Sequence, residues 1–547
     1  MPSDKPGPTP ATRSYFLIRL LFRFVLKVFY GTIVVEGAEH IPPKGHASII
    51  TANHANSLTD ALLLVTSVPY KSRGMLRLTA KSTQFGRRTF TSWLIESAGT
   101  LPIKRRKDFG DEEVDNSMIM GHLIDSLGRG DAVALFPEGA SRYHPTIAPL
   151  KTGVIRLVSD TLTAHADEPD YTVSVVPCSI TYMHRQHFRS DVLVSFHPPL
   201  SYTPRDNPDL LAPIKDYSSV RRATTVLGQR IASGTLDAPR WSLVRAAKLA
   251  ATIYAPLGTR MALGDYVRLS REFLQAMKAG DTGTDGESAV GTGTEEGNGE
   301  DAEQAEEMKL LLRELKAYGG ALTRLHIKDD RIRSPLPRPI ILCRLALRFS
   351  WALTLFILSF PGLLLWAPVL LTTFIAVKEF KKTGPIWDTW DEIAQYKLVY
   401  GLISGLCVWG GAVLLTLPFA PITFWLVPAV MWMSLRWVED AVAAARAFVA
   451  LARLLLVSPS ELRRLRAMRS ELHTKLMALA LAMGLPEDPE TVYAEVGDAH
   501  KGRTGVGSGW RDGTRYFSVR RRRKREWDET LRLQDQDEYD YPSDWDS

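Results

Sequence analysis

Along this chain the spacing of hydrophobic and polar positions changes period several times, and each change marks a boundary. From Tyr15 to Tyr30 the segment is apolar except for Arg19, Arg23 and Lys27. These recur every four residues and so line one face of a helix. Three cations on one stripe make a bilayer crossing costly, whereas a helix lying in the interface extends them toward phosphates. Packing of the same helix on its own domain is the other reading of the pattern. Residues 1–14 in front of it are polar and proline-containing and are expected to be disordered, without the cationic start and apolar run of a cleavable signal.

From Thr32 to Ser201 short apolar runs alternate with helical stretches. TIVVEG, ASIITAN, the run Arg77 to Lys81, GTLPIKR, AVALF, VSVVPCSITY and DVLVSF read as strands. Leu58 to Val68, Phe85 to Ser97, Glu112 to Leu127 and Thr152 to Ala164 carry helical spacing, the third closed by Gly128 and Gly130. The pattern predicts an α/β fold, a mainly β central sheet flanked by helices. With a mainly helical extension this domain occupies residues 31–278.

Residues 279–308 are rich in Gly, Thr and acid and nearly empty of large apolar side chains, which predicts a disordered acidic linker. A basic helical approach over 309–350 then leads into two hydrophobic zones, Trp351 to Val377 and Val399 to Leu435. Each holds a run of the roughly 20 residues needed to cross a bilayer core, and the second holds two short passes if it breaks near Pro418 and Pro421. The C-terminal part is thus an α-helical membrane region over 351–435. An even number of crossings returns the following helices, 436–490, to the cytosolic side. Ser458, Pro459 and Glu461 give one of these an N-cap, a first-turn proline and a capping-box glutamate, and Gly484 with Pro486 its stop. The remainder, 491–547, alternates basic and acidic blocks and is expected to be disordered.

The formal net charge of +7 fits nucleic acid, an anionic membrane surface or phosphorylated substrates without choosing among them. Three cysteines, Cys178, Cys343 and Cys407, lie far apart, so the sequence indicates neither a disulfide framework nor a zinc site.

Chemistry concentrates at strand ends. ASIITAN runs into His54, with Asp60 a short loop further on, at the carboxyl end of a strand, where α/β folds place their sites. A histidine there takes a proton from an attacking hydroxyl when a carboxylate on its far nitrogen fixes the tautomer. Taken alone, the pair also fits a helix-capping Asp60 beside an incidental histidine. Gly99 to Arg105 ends a second strand with clustered cations, and Phe136-Pro137-Glu138-Gly139-Ala140-Ser141-Arg142 follows a third. Arginine forks and glycine-exposed backbone N–H groups suit a phosphate monoester. Val175-Val176-Pro177 lies in a further apolar strand.

The ordered set, Asn-His followed by Asp, Gly-x-x-x-x-x-Arg, Phe-Pro-Glu-Gly-x-x-Arg and Val-Val-Pro, resembles the four motif blocks of the glycerolipid (lysophospholipid) acyltransferase superfamily over residues 33–198. The order of domain and hydrophobic hairpins looks like the fungal glycerol-3-phosphate/dihydroxyacetone-phosphate O-acyltransferases of the endoplasmic reticulum. The resemblance implies an acyltransferase domain with His54 as general base and Asp60 as its partner. It implies that Arg105, Glu138, Gly139 and Arg142 bind the acceptor phosphate and that Pro177 shapes the acyl-donor side. No metal and no bound cofactor are implied; acyl-CoA is a co-substrate. The implied partners are acyl-CoA, glycerol 3-phosphate or dihydroxyacetone phosphate, and the lipid bilayer, with no nucleic acid. The implied setting is the endoplasmic reticulum membrane, multi-pass, with the catalytic domain cytosolic.

Within this reading lysophosphatidate or another lysophospholipid is the alternative acceptor, since its phosphate fits the same residues. A catalytically inactive membrane scaffold or lipid-binding protein is the alternative class. One departure bears on it: the superfamily's first motif usually has four residues between His and Asp, and Ala55 to Thr59 make five. Neither spacing puts the two side chains on one helix face, so the pair must meet across a turn.

Overall fold

The computed structural model describes residues 7–104, 116–214, 216–257, 261–281, 299–333, 336–384 and 390–493. They fall into two compact units, one comprising Met1–Thr235 and Glu379–Leu398, the other Leu236–Lys378 and Val399–Ser547.

The first unit runs α1 (Arg13–Phe29), β1 (Thr32–Glu36), β2 (Ala47–Ala52), α2 (Leu58–Ser67), β3 (Leu76–Arg77), β4 (Thr79–Lys81), α3 (Phe90–Ser97), β5 (Leu101–Ile103), α4 (Ser117–Gly128), β6 (Ala132–Leu135), α5 (Gly153–Ala164), β7 (Val173–Tyr182), β8 (Asp191–Phe196), β9 (Leu200–Tyr202) and α6 (Tyr217–Ala232). The main sheet has the order β1-β8-β7-β2-β6-β3, with β9 pairing the first half of β7 beside β8. β2 is parallel to both β6 and β7, and β3 is parallel to β6. β2 and β7 are buried at every position, as parallel central strands covered on both faces must be. Each fully buried Val or Ile there contributes roughly 1.5–3 kcal/mol. Ile49, Val133 and Val175 from the sheet meet Leu123, Ile155, Val158 and Leu227 from α4, α5 and α6 in one core. The fold is α/β, with the helix-flanked sheet that the patterning predicts. The single run expected from Arg77 to Lys81 is divided at Leu78: β3 joins the main sheet, while β4 pairs with β5 in a separate two-stranded one.

α1 packs along one face on its own domain. Tyr15, Ile18, Phe22, Val25, Leu26 and Phe29 are buried in the unit, and Arg19 donates to the Val68 carbonyl and lies over the Tyr70 ring. Phe16, Leu17, Leu20 and Phe24 form a second apolar ridge, at three- and four-residue spacing, that stays exposed. The expected disorder of residues 1–14 is corrected near its end. Thr9 donates through its backbone N–H (2.8 Å) and its hydroxyl (2.7 Å) to Asp131, and Thr12 caps α1 by accepting the Tyr15 N–H at 3.1 Å. These polar anchors were invisible to an argument from hydropathy.

The second unit contains α7 (Trp241–Tyr254), α8 (Leu263–Asp281), α9 (Gly299–Leu325), α10 (Asp329–Arg333), α11 (Arg338–Phe380, up to Lys378), α12 (Ile393–Leu415, from Val399), α13 (Ala420–Leu456) and α14 (Pro459–Ala482). α7, α8, α9 and α14 pack on one another. At their centre Asp329 accepts Tyr318 Oη at 2.7 Å and Arg469 Nε at 2.9 Å. By compactness the helical extension expected up to residue 278 divides after Thr235, α6 grouping with the sheet and α7 and α8 with α9 and α14. The linker expected over 279–308 is shorter: α8 reaches Asp281 and α9 begins at Gly299, where Ala, Glu and Gln favour helix. Residues 282–298, and 494–547 of the expected tail, lie outside the described residues. α14 starts as expected, with Ser458 Oγ accepting the Glu461 N–H at 3.3 Å, and stops at Gly484 with φ of 75°.

Three described helices are long and apolar enough to cross a membrane: Arg338–Phe380, Ile393–Leu415 and a third from Leu417 to Leu456. The second hydrophobic zone does break at its prolines, in a 3-10 turn over Leu417–Phe419. Leu353, Phe356, Phe360, Leu364 and Phe374 are exposed along α11, as lipid-facing side chains are. This part of the chain is membrane-associated.

Candidate active site

Three parallel strands lie side by side in the order β6, β2, β7, and all end on the same edge of the sheet. Thr51 pairs with Leu135 on one side and Pro177 on the other. His54 and Glu138 each lie three residues beyond that Thr51–Leu135 pair, so the two turns meet. The His54 backbone N–H donates to Glu138 Oε1 at 2.6 Å, and Glu138 Oε2 accepts the Ala148 N–H at 2.9 Å. Burial pushes the Glu138 carboxyl up, and these two N–H groups oppose the shift. The imidazole stacks on Phe136, ring centroids 4.2 Å apart. On the other side Asn53 extends the ladder past the end of β2, donating to the Ile180 carbonyl (3.0 Å) and accepting its N–H (2.7 Å).

His54 Nδ1 and Asp60 Oδ2 are 2.9 Å apart. The same oxygen accepts the N–H groups of Ala55 (2.9 Å) and Asn56 (2.8 Å), and Asp60 Oδ1 accepts Tyr182 Oη. These donors converge on a carboxylate in the first turn of α2, the end of the helix where the dipole favours an anion. It fixes the proton on Nδ1 and leaves Nε2 as the basic nitrogen. Burial, reinforced by Asp60, pushes the phenols of Tyr182 and Tyr30 well up, so Tyr182 remains a donor. The five-residue spacing is absorbed in the turn: Ser57, with φ of 45° and ψ of −131°, bends the chain into α2. Asp60 is fully buried while His54 is 19% exposed, so the imidazole is reachable and the carboxylate behind it is not.

The other expected residues divide. Gly139 adopts φ of 76° directly under Lys151, whose Nζ is 2.5 Å from where a Cβ would sit. Arg142 donates to the Thr146 carbonyl at 3.0 Å. Pro177 is buried in β7, its carbonyl accepting the His197 N–H at 2.8 Å. Arg105 lies outside the described residues.

Sequence reasoning missed Tyr182, Lys151, Asp391 and Gln395. Tyr182 carries a readable signal, a polar aromatic ending a strand otherwise read as core. Asp391 and Gln395 come from the interval between the two hydrophobic zones. Asp391 Oδ2 accepts the Ser141 hydroxyl. Its carboxyl is pushed up to about 6 by burial, opposed by that bond, raised again by Glu392 and lowered by His54.

A carboxylate-oriented imidazole at the end of a parallel strand, braced by the Phe-Pro-Glu-Gly turn, can take a proton from a hydroxyl. Residues 32–181 match the family model described as Acyltransferase, which supports the resemblance to the glycerolipid acyltransferase superfamily. The chain is 25% identical over 412 residues to an uncharacterised acyltransferase of Schizosaccharomyces pombe, covering 72% of this chain and 56% of that protein. It is 28% identical over 169 residues to glycerol-3-phosphate O-acyltransferase 2 of Saccharomyces cerevisiae, 30% of this chain and 21% of that one. Glycerol-3-phosphate O-acyltransferase 1 of the same yeast is 22% identical over 299 residues, 53% of this chain and 36% of that protein. The matches thus span little more than half the length of these relatives at most.

Proposed function

We propose that the chain transfers a fatty acyl group from acyl-CoA to the sn-1 hydroxyl of glycerol 3-phosphate, or of dihydroxyacetone phosphate, at the endoplasmic reticulum membrane. The observation that carries the reading is the 2.9 Å contact of His54 Nδ1 with Asp60, which leaves Nε2 for the acceptor. Nε2 takes the hydroxyl proton as the oxygen attacks the thioester carbonyl carbon. The tetrahedral adduct then expels the CoA thiolate, which leaves with the proton returned from the imidazolium. Asp60 stabilises the imidazolium between these steps without itself accepting the proton.

Cations around the Phe-Pro-Glu-Gly turn suit the acceptor phosphate: Lys151 over Gly139, and Arg142. Holding the phosphate there aligns the hydroxyl with the base, an orientation effect worth several kcal/mol in well-aligned reactions. The names of the two yeast relatives support glycerol 3-phosphate as acceptor. The exposed ridge of α1 and the three long apolar helices support delivery of the product to a bilayer.

The test is to offer glycerol 3-phosphate, dihydroxyacetone phosphate and lysophosphatidate separately, with labelled palmitoyl-CoA, to membranes holding the chain and its His54→Ala variant. Acylation of glycerol 3-phosphate that falls about 10²- to 10⁴-fold in the variant is expected. Full activity in the variant rejects His54 as the base, and preference for lysophosphatidate rejects the acceptor.

A further inference from the structure

Residues 390–398 follow an apolar helix and begin another, yet they belong to the same compact unit as the sheet. They are fastened to both motif turns. Gln395 Oε1 accepts the Ser57 hydroxyl at 3.0 Å and the Leu58 N–H at 3.3 Å. Asp391 accepts the Ser141 hydroxyl, Trp390 packs against Tyr143 with ring centroids 5.5 Å apart, and Lys397 Nζ donates to the Gln186 carbonyl at 2.6 Å. One short segment therefore holds the His54–Asp60 turn on one side and the Phe-Pro-Glu-Gly turn on the other.

The Gln395 contact has a particular meaning for α2. The first N–H groups of a helix have no partner within it, and a serine at the N-cap ordinarily accepts one of them through its own oxygen. Ser57 occupies that position but makes no such bond. Its φ of 45° belongs to a region that a serine holds only when its surroundings fix it. Its hydroxyl is turned outward as a donor to Gln395, and the glutamine oxygen takes the Leu58 N–H in its place. The cap of α2 is thus supplied by a residue more than three hundred positions further along the chain. Asp60 stands two residues beyond Leu58, and its carboxylate is what orients His54.

We propose that Gln395 is a positioning residue for acyl transfer, a cap brought from the segment between α11 and α12 that holds the lengthened His54–Asp60 turn in its working geometry. The inference rests on the reading of His54 as the base. It explains how a five-residue spacing supports the contact that the superfamily usually makes with four.

The experiment uses the full chain in its membrane, with labelled glycerol 3-phosphate and palmitoyl-CoA as probes, and compares Gln395→Ala, Gln395→Glu and His54→Ala. Gln395→Ala is expected to lower kcat about 10- to 100-fold, as a slight misplacement of a base does, with both KM values within about twofold. Gln395→Glu keeps an oxygen acceptor and is expected to retain most of kcat. A wild-type kcat in Gln395→Ala overturns the proposal. So does a Gln395→Glu variant as impaired as the alanine, and that variant decides the matter if the alanine protein is not recovered folded. Loss of activity in His54→Ala beside an unaffected Gln395→Ala removes the positioning role alone. An active His54→Ala removes the base, and the positioning role with it.

Discussion

Asp60 Oδ2 lies 2.9 Å from Nδ1 of His54 across a turn of five intervening residues, and three further donors converge on the same carboxylate. The imidazole is thereby set before any substrate arrives. Removing its partner changes the tautomer and not only the strength of a contact. Asp60→Asn is expected to lower kcat roughly 10²- to 10⁴-fold with little change in KM, because an amide nitrogen facing Nδ1 favours the proton on Nε2. Steady-state kinetics on purified membranes measures this.

Tyr182 supports the pair from behind by donating to Asp60 Oδ1. A hydrogen bond to a buried charged group is worth about 1.5–3 kcal/mol. Tyr182→Phe is expected to lower the thermal midpoint of the catalytic unit and to lower kcat about tenfold for each 1.4 kcal/mol of lost support to the imidazolium. Thermal inactivation and initial rates, taken on the same preparation, test both effects.

Asp391 gives the site a pH dependence of its own. Its carboxyl is raised from an ordinary 3.8 to about 6, so between these pH values the folded protein holds a proton that the unfolded chain has released. Stability then falls as pH rises through that window, and the cost is present in full above it. Asp391→Asn retains an acceptor for Ser141 and removes the titration. It is expected to flatten the dependence of the thermal midpoint between about pH 4 and 6. Thermal melts of both proteins across that range measure it.

Much of the fold is legible in the sequence because its cause is local. Runs such as ASIITAN and VSVVPCSITY carry no charge and are rich in Val, Ile and small residues, as strands covered on both faces are, and Ser458, Pro459 and Glu461 carry a cap within four positions. The motif turns follow their strands directly, so His54, Asp60 and Glu138 stand out in the sequence, and the fold brings them together. Thr9 on Asp131 was not found, nor the division after Thr235. Polar anchoring of a loop, and the choice of which surface a helix covers, leave no period in a sequence.

The sequence by itself determined most strands, the long apolar helices and the residues of the His54–Asp60 turn, because side-chain periodicity and short motifs act over a few positions. Only the tertiary structure decided that His54 reaches Asp60 across five residues, that Tyr182 closes the far side of the carboxylate, and that Gln395 and Asp391 bond to the two motif turns. The physical reason is the sheet. Parallel pairing of β6, β2 and β7 brings distant strand ends to one edge, and a segment between two apolar helices folds back onto that edge, where its polar side chains satisfy hydrogen bonds that local sequence leaves open.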